Sequence, residues 1–456
     1  MLISGVIEGF YGRPWTEAQR IEMMDWIAAA GMNLYVYAPK DDVKLRARWR
    51  EPYTDAEMAA LARLVEAAKA RGLTMMAALA PCLDITYSDP AELSHLLRRL
   101  DQFISLGLTH FALLYDDIPS QLRPEDVAQF PSFAAAQCHI ANAAWAYLCA
   151  KNGARLFFCP TEYCGRMARG DPEHSPYLQT LGQELCDNID ICWTGTEIIS
   201  PEITAESLRQ VSKVLRRKPV IWENFHANDY DIRRTHAGPL GGRESAIRDE
   251  IAGFITNPNN EFEANFVPVH TTGAFLATPR YDETKAAEEA GRAWRVRFRL
   301  AYSTDGETLK AEEVALLIDL LYQPFQAGPQ STSIVAAARN LLKEARPDTK
   351  APAWREGQAR IRAYHDRVVS LFDRMTELEN RDLFYTFQPH LWEVREEFHT
   401  LTQYLDWLTT GPAANDVFPE AGRLPNTYRQ GLGADLQALL PRGRDGNLNH
   451  IAPVHG

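Results

Sequence analysis

The chain has 456 residues, 46% of them hydrophobic and 24% charged, the balance of an ordinary globular protein. That length predicts two or three domains, or one large barrel with an appendage. Lys plus Arg number 48 against 60 Asp plus Glu, a formal charge of −12, which argues against a general nucleic-acid or anionic-membrane binder because no basic surplus meets phosphates.

No apolar stretch approaches the roughly 20 residues that span a bilayer. The start, Met1-Leu2-Ile3-Ser4-Gly5-Val6-Ile7-Glu8, has no basic residues, no long apolar run and no small-residue cleavage site. No signal peptide is therefore expected, and the location expected is cytoplasmic. The seven Cys, at 82, 138, 149, 159, 164, 186 and 192, read as free thiols in a reducing compartment rather than a disulfide framework. Cys159 and Cys164 are too widely spaced, and lack a following Cys/His pair, to read as a metal site.

Over the first 280 residues short β-type runs alternate with helical patterns. The strand candidates are 5–9, 34–38, 74–80, 111–115, 156–160, 191–194, 220–224 and 265–270. Between most of them lie stretches with apolar residues at three- and four-residue spacing: 17–30, 55–71, 90–106, 133–150 and 205–216. Strand-then-helix repeated about eight times predicts an α/β fold with a parallel sheet, closed as a (β/α)8 TIM-type barrel. An open doubly wound sheet would usually carry a glycine-rich first turn, whereas Gly9-Phe10-Tyr11-Gly12-Arg13-Pro14-Trp15 is aromatic. Polar residues gather where these strands end: Glu8, Lys40-Asp41-Asp42, Asp84, Asp116-Asp117, Glu162-Tyr163, Glu197, Asn224 with Asp229, and Asn257. A barrel enzyme builds its site from such strand ends.

From residue 283 the pattern turns helical, over 283–300, 312–322, 331–345, 353–375 and 378–408, and predicts an all-α helical bundle. Leu408-Thr409-Thr410-Gly411-Pro412 stops the last long helix. The expected organisation is a catalytic barrel over 1–282, a bundle over 283–410 and an irregular tail over 411–456. The long helices also offer a face on which a homodimer could pack.

The run Phe111-Ala112-Leu113-Leu114-Tyr115 leads into Asp116-Asp117. Two carboxylates so close cannot both keep ordinary proton affinities, so one can stay ionised while the other carries a proton as a general acid. On the residues alone the pair reads equally as a helix cap or a cation site. A Mg2+-dependent phosphoryl-transfer site would want a phosphate loop of the Gly-x-x-x-x-Gly-Lys-Ser/Thr type, and none occurs.

Six segments together carry a resemblance. They are Glu8–Trp15, Tyr37-Ala38-Pro39-Lys40-Asp41-Asp42, Leu114–Ile118, Cys159-Pro160-Thr161-Glu162-Tyr163-Cys164-Gly165, Trp193-Thr194-Gly195 and Trp222-Glu223-Asn224-Phe225-His226-Ala227-Asn228-Asp229-Tyr230-Asp231, followed by Asn257-Pro258-Asn259 and Glu261–Asn265. In that order and spacing over about residues 3–280 the chain resembles glycoside hydrolase family 84, the O-GlcNAcase and bacterial β-N-acetylglucosaminidase family.

The resemblance implies a retaining hydrolase of terminal β-linked GlcNAc, acting on Ser/Thr of proteins or on glycopeptides and glycans, with no metal and no organic cofactor. Most retaining glycosidases use a carboxylate nucleophile. Here the substrate's own 2-acetamido oxygen would attack the anomeric carbon and form an oxazoline. Asp116 would then orient the acetamido group, and Asp117 would serve as general acid and later as base. The resemblance further implies that Tyr163 hydrogen-bonds the acetamido group and that Lys40 and the Gly9 backbone lie by the 3-hydroxyl. Asn224, Asp229 and Asn257 would grasp the sugar, Trp222 would wall the acetamide methyl pocket, and Tyr230 would stand at the outer edge. Trp193 reads as barrel core. Two departures are mild: Glu223 stands where Asp is expected in close relatives, and Phe225 where a β-branched aliphatic is expected. The competing readings are a glycan-binding scaffold on a dead barrel, a hexosaminidase directed at glycans rather than proteins, and a metal-dependent hydrolase.

Overall fold

The computed structural model describes residues 2–413, 416, 418 and 431–440, apart from 304, 345 and 346. Eight parallel strands close into a barrel in chain order: β1 (Ile3–Glu8), β2 (Leu34–Tyr37), β3 (Thr74–Leu79), β4 (His110–Leu114), β5 (Arg155–Cys159), β6 (Ile189–Trp193), β7 (Val220–Glu223) and β8 (Gly253–Thr256). The closure is the pairing of β8 with β1, in the register Ile3↔Gly253 to Val6↔Thr256. The strands are buried along nearly their whole length, as sheets covered on both faces are.

The helices start where their caps say they should. Thr16 and Thr54 accept from the backbone N–H three residues on, while Gln19 and Glu57 reach back, a capping box at each of Glu17–Ala29 and Asp55–Ala70. Asp89 caps Pro90–Ser105, with Pro90 at the first helical position, and Ser132 caps Phe133–Ala150. A further helix, Pro176–Glu184, precedes β6.

One strand was expected in the wrong place. Residues 265–270 are not β: a short 3-10 turn, Phe262–Asn265, leads into the helix Phe266–Ala277. The run Phe266-Val267-Pro268-Val269 reads as β-type because all four are apolar, but a proline in the first helical turn costs no hydrogen bond. The eighth strand is Gly253–Thr256, four residues long and preceded by the 3-10 segment Ser245–Asp249.

By its contacts the chain forms two compact units. The first comprises residues 1–230, 240–262 and 268–283, and holds the barrel. The second comprises 231–239, 263–267 and 284–456, so two short segments from the barrel's part of the sequence belong to it. Its helices are Glu283–Trp294, Ala311–Leu320, Pro329–Leu341, Pro352–Thr376 and Arg381–Thr409. The last two pack together, with Tyr364 and Phe398 ring centroids 5.2 Å apart. Within the stretch expected to be irregular, Leu432–Ala438 is a helix; most of that stretch lies outside the described residues. Among the described residues no helix is long and apolar enough to cross a membrane.

Candidate active site

The barrel's C-terminal end collects one contribution after another. Pairing of β4 with β5 continues to Tyr115, whose N–H donates to Cys159 O at 2.9 Å. Asp116 follows, buried, and Asp117 then takes a left-handed backbone, φ +57°, which Asp tolerates better than most residues. That turn replaces strict strand alternation and brings both carboxylates into one neighbourhood: the phenols of Tyr11 and Tyr163 each feel both charges.

The two acids have different surroundings. Oδ2 of Asp116 accepts from Lys40 Nζ at 2.5 Å, with the Lys40 side chain 1% exposed. Oδ1 of Asp116 is buried with no protein partner among the described residues. Burial raises its proton affinity, and Lys40, with Arg46 adding its charge, more than reverses this and holds the carboxyl below its ordinary range. Asp117 is exposed and accepts two phenolic hydrogen bonds, from Tyr163 Oη to Oδ1 at 2.8 Å and from Tyr11 Oη to Oδ2 at 2.9 Å.

Each partner is anchored by its own strand end. Tyr163, 5% exposed, has its carbonyl held by Thr194 N–H at 2.9 Å. Thr161 Oγ1, two residues earlier, donates to Tyr115 O at 2.7 Å and ties the β5 exit to the β4 exit. Burial first, then Asp117, pushes the Tyr163 hydroxyl far up, so it serves as a neutral donor. Lys40 Nζ also lies 5.6 Å from the ring centre of Tyr11 and 5.9 Å from that of Trp222, both distances at which a cation meets a π face.

Trp222, on β7, lies against Gly9: a Cβ there would stand 2.7 Å from Cζ2 of the indole and 3.3 Å from Oδ1 of Asn257. Glycine at position 9 is thus a close approach of backbone to ring. Trp222 Nε1 donates to Asn224 Oδ1 at 2.9 Å, and Asn257 Nδ2 donates to the same oxygen at 3.0 Å. Asn224 Nδ2 donates to Ile198 O, while among the described residues Oδ1 of Asn257 is buried without a protein partner. Asp229 Oδ2 accepts from Tyr11 N–H at 2.9 Å, and burial raises its proton affinity. Its loop is pinned through Asn228, which donates to Glu261 and accepts from Asn260 N–H. Tyr230 is 54% exposed, and Trp193 is 3% exposed, as befits barrel core.

So Gly9, Lys40, Asp116, Asp117, Tyr163, Trp222, Asn224, Asp229 and Asn257 stand in one connected network. Several other strand-end acids do not join it. Glu8 is fully buried and accepts from Arg20, Tyr35 Oη and Trp15 N–H, facing the helix layer rather than the mouth. Asp42 is held by Tyr37 and Tyr53, and Asp84 by Trp49 and Arg50. Glu162 bonds Ser175. Cys159 and Cys164 are buried free thiols.

Two further residues, Tyr11 and Arg46, join this network without being marked in the sequence. Tyr11 lay inside the aromatic first turn, where only the Gly9 backbone stood out. Arg46 lay among Lys44, Arg48 and Arg50, and nothing in that run marks the one that is buried. Arg46 Nη1 donates to Tyr11 Oη at 2.6 Å.

Comparisons with known proteins place this arrangement. The beta-N-acetylglucosaminidase family matches residues 4–309. The Protein O-GlcNAcase of Mus musculus is 46% identical over 269 residues, 59% of this chain and 29% of that protein, and the Rattus norvegicus protein matches to the same extent. The chain therefore spans under a third of the length of these relatives. A solved structure of a mutant of the Thermobaculum terrenum O-GlcNAc hydrolase is similar over 89% of this chain and 83% of its own, with TM-score 0.75 and 26% identity. The structure of CpGH84B is similar in fold, with TM-score 0.77 at 22% identity over 89% of this chain and 69% of its own. The family match runs through more than half of the chain and through both carboxylates, and the chain belongs to the beta-N-acetylglucosaminidases of glycoside hydrolase family 84.

Proposed function

We propose that this protein is a retaining β-N-acetylglucosaminidase that removes terminal β-linked GlcNAc with the substrate's acetamido group as nucleophile. The observation that carries the reading is the asymmetry of Asp116. One oxygen is neutralised by Lys40 and the other is buried without a protein partner among the described residues, an acceptor suited to an amide N–H. A carboxylate so placed makes the acetamido oxygen more nucleophilic as positive charge develops on nitrogen.

The bonds balance as follows. The acetamido oxygen forms a bond to C1, the C1–O bond to the aglycone breaks, and its electron pair leaves with the oxygen. Asp117 delivers the proton to that oxygen. Water then adds at C1 and opens the oxazoline, its proton passing to the Asp117 carboxylate, which restores the acid. Asn224, Asp229 and Asn257 hold the sugar, with Asp229 as the charged acceptor for its hydroxyls. Trp222 walls the acetamide methyl and Tyr230 edges the aglycone side.

The aglycone we assign is Ser or Thr of a protein. The 46% identity over 269 residues to the Mus musculus Protein O-GlcNAcase supports this, as the free thiols support action in a reducing compartment such as the cytoplasm. The test is a series of 4-nitrophenyl glucosaminides bearing N-acetyl, N-fluoroacetyl and N-trifluoroacetyl groups. Fluorination weakens the oxygen nucleophile, so kcat/KM should fall steadily along the series. A rate indifferent to fluorination would end the substrate-assisted reading.

A further inference from the structure

Asp117 has two oxygens, and a general acid carries its proton on only one. The hydrogen bonds around it distinguish them. Oδ2 accepts from Tyr11 Oη, and Tyr11 Oη in turn accepts from Arg46 Nη1 at 2.6 Å. A guanidinium has donors and no acceptor. With Arg46 filling a lone pair on the phenol oxygen, the phenol hydrogen is directed at Oδ2. Oδ1 accepts from Tyr163 Oη, which has no such donor behind it among the described residues.

Arg46 is an unusual residue to spend on a phenol. It is 7% exposed, and among the described residues it makes no ion pair. A buried cation is costly unless something gains from its charge. What lies beyond the phenol is the carboxylate pair: Asp117 through one hydrogen bond, and Asp116 through its field. Donation to the phenol oxygen also polarises the hydroxyl and strengthens its own donation.

We propose that Arg46, acting through Tyr11, fixes Oδ2 of Asp117 as an acceptor and so assigns the transferable proton to Oδ1. Arg46 is a positioning residue, and Tyr11 is the relay between it and the acid. On this arrangement Tyr163 gives up Oδ1 when substrate enters and turns its hydroxyl to the acetamido group. The proton then leaves from Oδ1 to the glycosidic oxygen, while Oδ2 stays bonded to Tyr11 throughout. The inference rests on Asp117 being the general acid.

The test uses the full chain and a set of β-GlcNAc glycosides from 2,4-dinitrophenyl to methyl. Tyr11→Phe and Arg46→Met should each lower kcat/KM on the methyl glycoside at least about tenfold more than on the dinitrophenyl glycoside. That lies within the about 10²–10⁴ a positioned acid contributes. Arg46→Lys, which also only donates, should recover most of the loss. In the ratio of the methyl to the dinitrophenyl rate, which cancels the field of Arg46 on Asp116, the double variant should lose no more than Tyr11→Phe alone. A loss equal across leaving groups, or ratios that multiply in the double variant, would overturn the proposal. Where Arg46→Met fails to fold by thermal unfolding, Tyr11→Phe decides alone, since it removes one oxygen from a 39% exposed side chain. Wild-type protein that cleaves none of the glycosides would overturn the activity itself. Wild-type cleavage with flat variants overturns only the relay.

Discussion

Arg243 donates to both carboxylate oxygens of Glu223, each at 2.7 Å, and both side chains are 1% exposed. The same guanidinium lies 4.4 Å from the ring centre of Phe225 and donates to the carbonyls of Ser200, Pro201 and Gly241. Glu223 and Phe225 meet on one arginine. Between them stands Asn224, so this arginine also seats the loop that the proposed mechanism gives to the sugar.

Glu223→Gln should therefore destabilise the fold by about 3–5 kcal/mol, the cost of leaving a buried charge uncompensated. Chemical denaturation of the single variants and of Glu223→Met with Arg243→Met checks this. The double replacement should lose less than either single one. Equal or additive losses would mean that the pair is not the source of the stability.

Lys40→Met should move the low-pH limb of the kcat/KM profile upward. In the proposed mechanism Asp116 acts as a carboxylate, so activity is lost as pH falls through its folded pKa. Burial pushes that pKa up and Lys40 holds it below the ordinary value of 3.8. Removing the ammonium leaves burial unopposed, and the limb rises. The stability linkage has the same sign: a depressed carboxylate contributes above its unfolded pKa, and the contribution is lost as pH falls through the folded one. A limb unmoved in Lys40→Met would show that Asp116 does not set it.

Gly9→Ala should raise KM and lower stability by about 1–3 kcal/mol, as overpacking does. The new methyl would stand 2.7 Å from Trp222 Cζ2, so the indole or the β1 exit must give way. Trp222→Phe in the same background should recover part of the loss, because a smaller ring makes room. Steady-state kinetics and thermal unfolding of the two variants test both statements.

Asp117→Asn and Asp116→Asn should separate by leaving group. The first should spare dinitrophenyl glycosides, which need little protonation, and lose about 10²–10⁴ on alkyl glycosides. The second should harm both, because the nucleophile itself is impaired. Parallel losses across the series would mean that the roles are assigned wrongly.

Much of this was legible in the residues. Strand-then-helix periodicity placed seven of the eight strands, and the polar strand ends pointed to Asp116, Asp117, Lys40, Asn224 and Asn257. The eighth strand was missed because Gly253–Thr256 is short and the longer apolar run after it is helical. Glu8 misled for a different reason. Successive strand residues face opposite ways, so an acid one residue before Gly9 faces the helix layer and pairs with Arg20. Nothing in the sequence pairs Tyr11 with Arg46, since their hydrogen bond joins residues 35 positions apart.

The left-handed backbone at Asp117 makes that position a double filter. Side chains branched at Cβ are strained at φ +57°, and Gly, Asn and Asp are the residues that settle there most readily. Of these three only Asp can carry a transferable proton. A lineage that lost hydrolysis while keeping its grip on glycans would therefore drift most easily to Asn or Gly at this one site, with the barrel otherwise intact. Among relatives of this fold, an amide or a bare glycine after Asp116 would mark a reader of GlcNAc rather than an eraser.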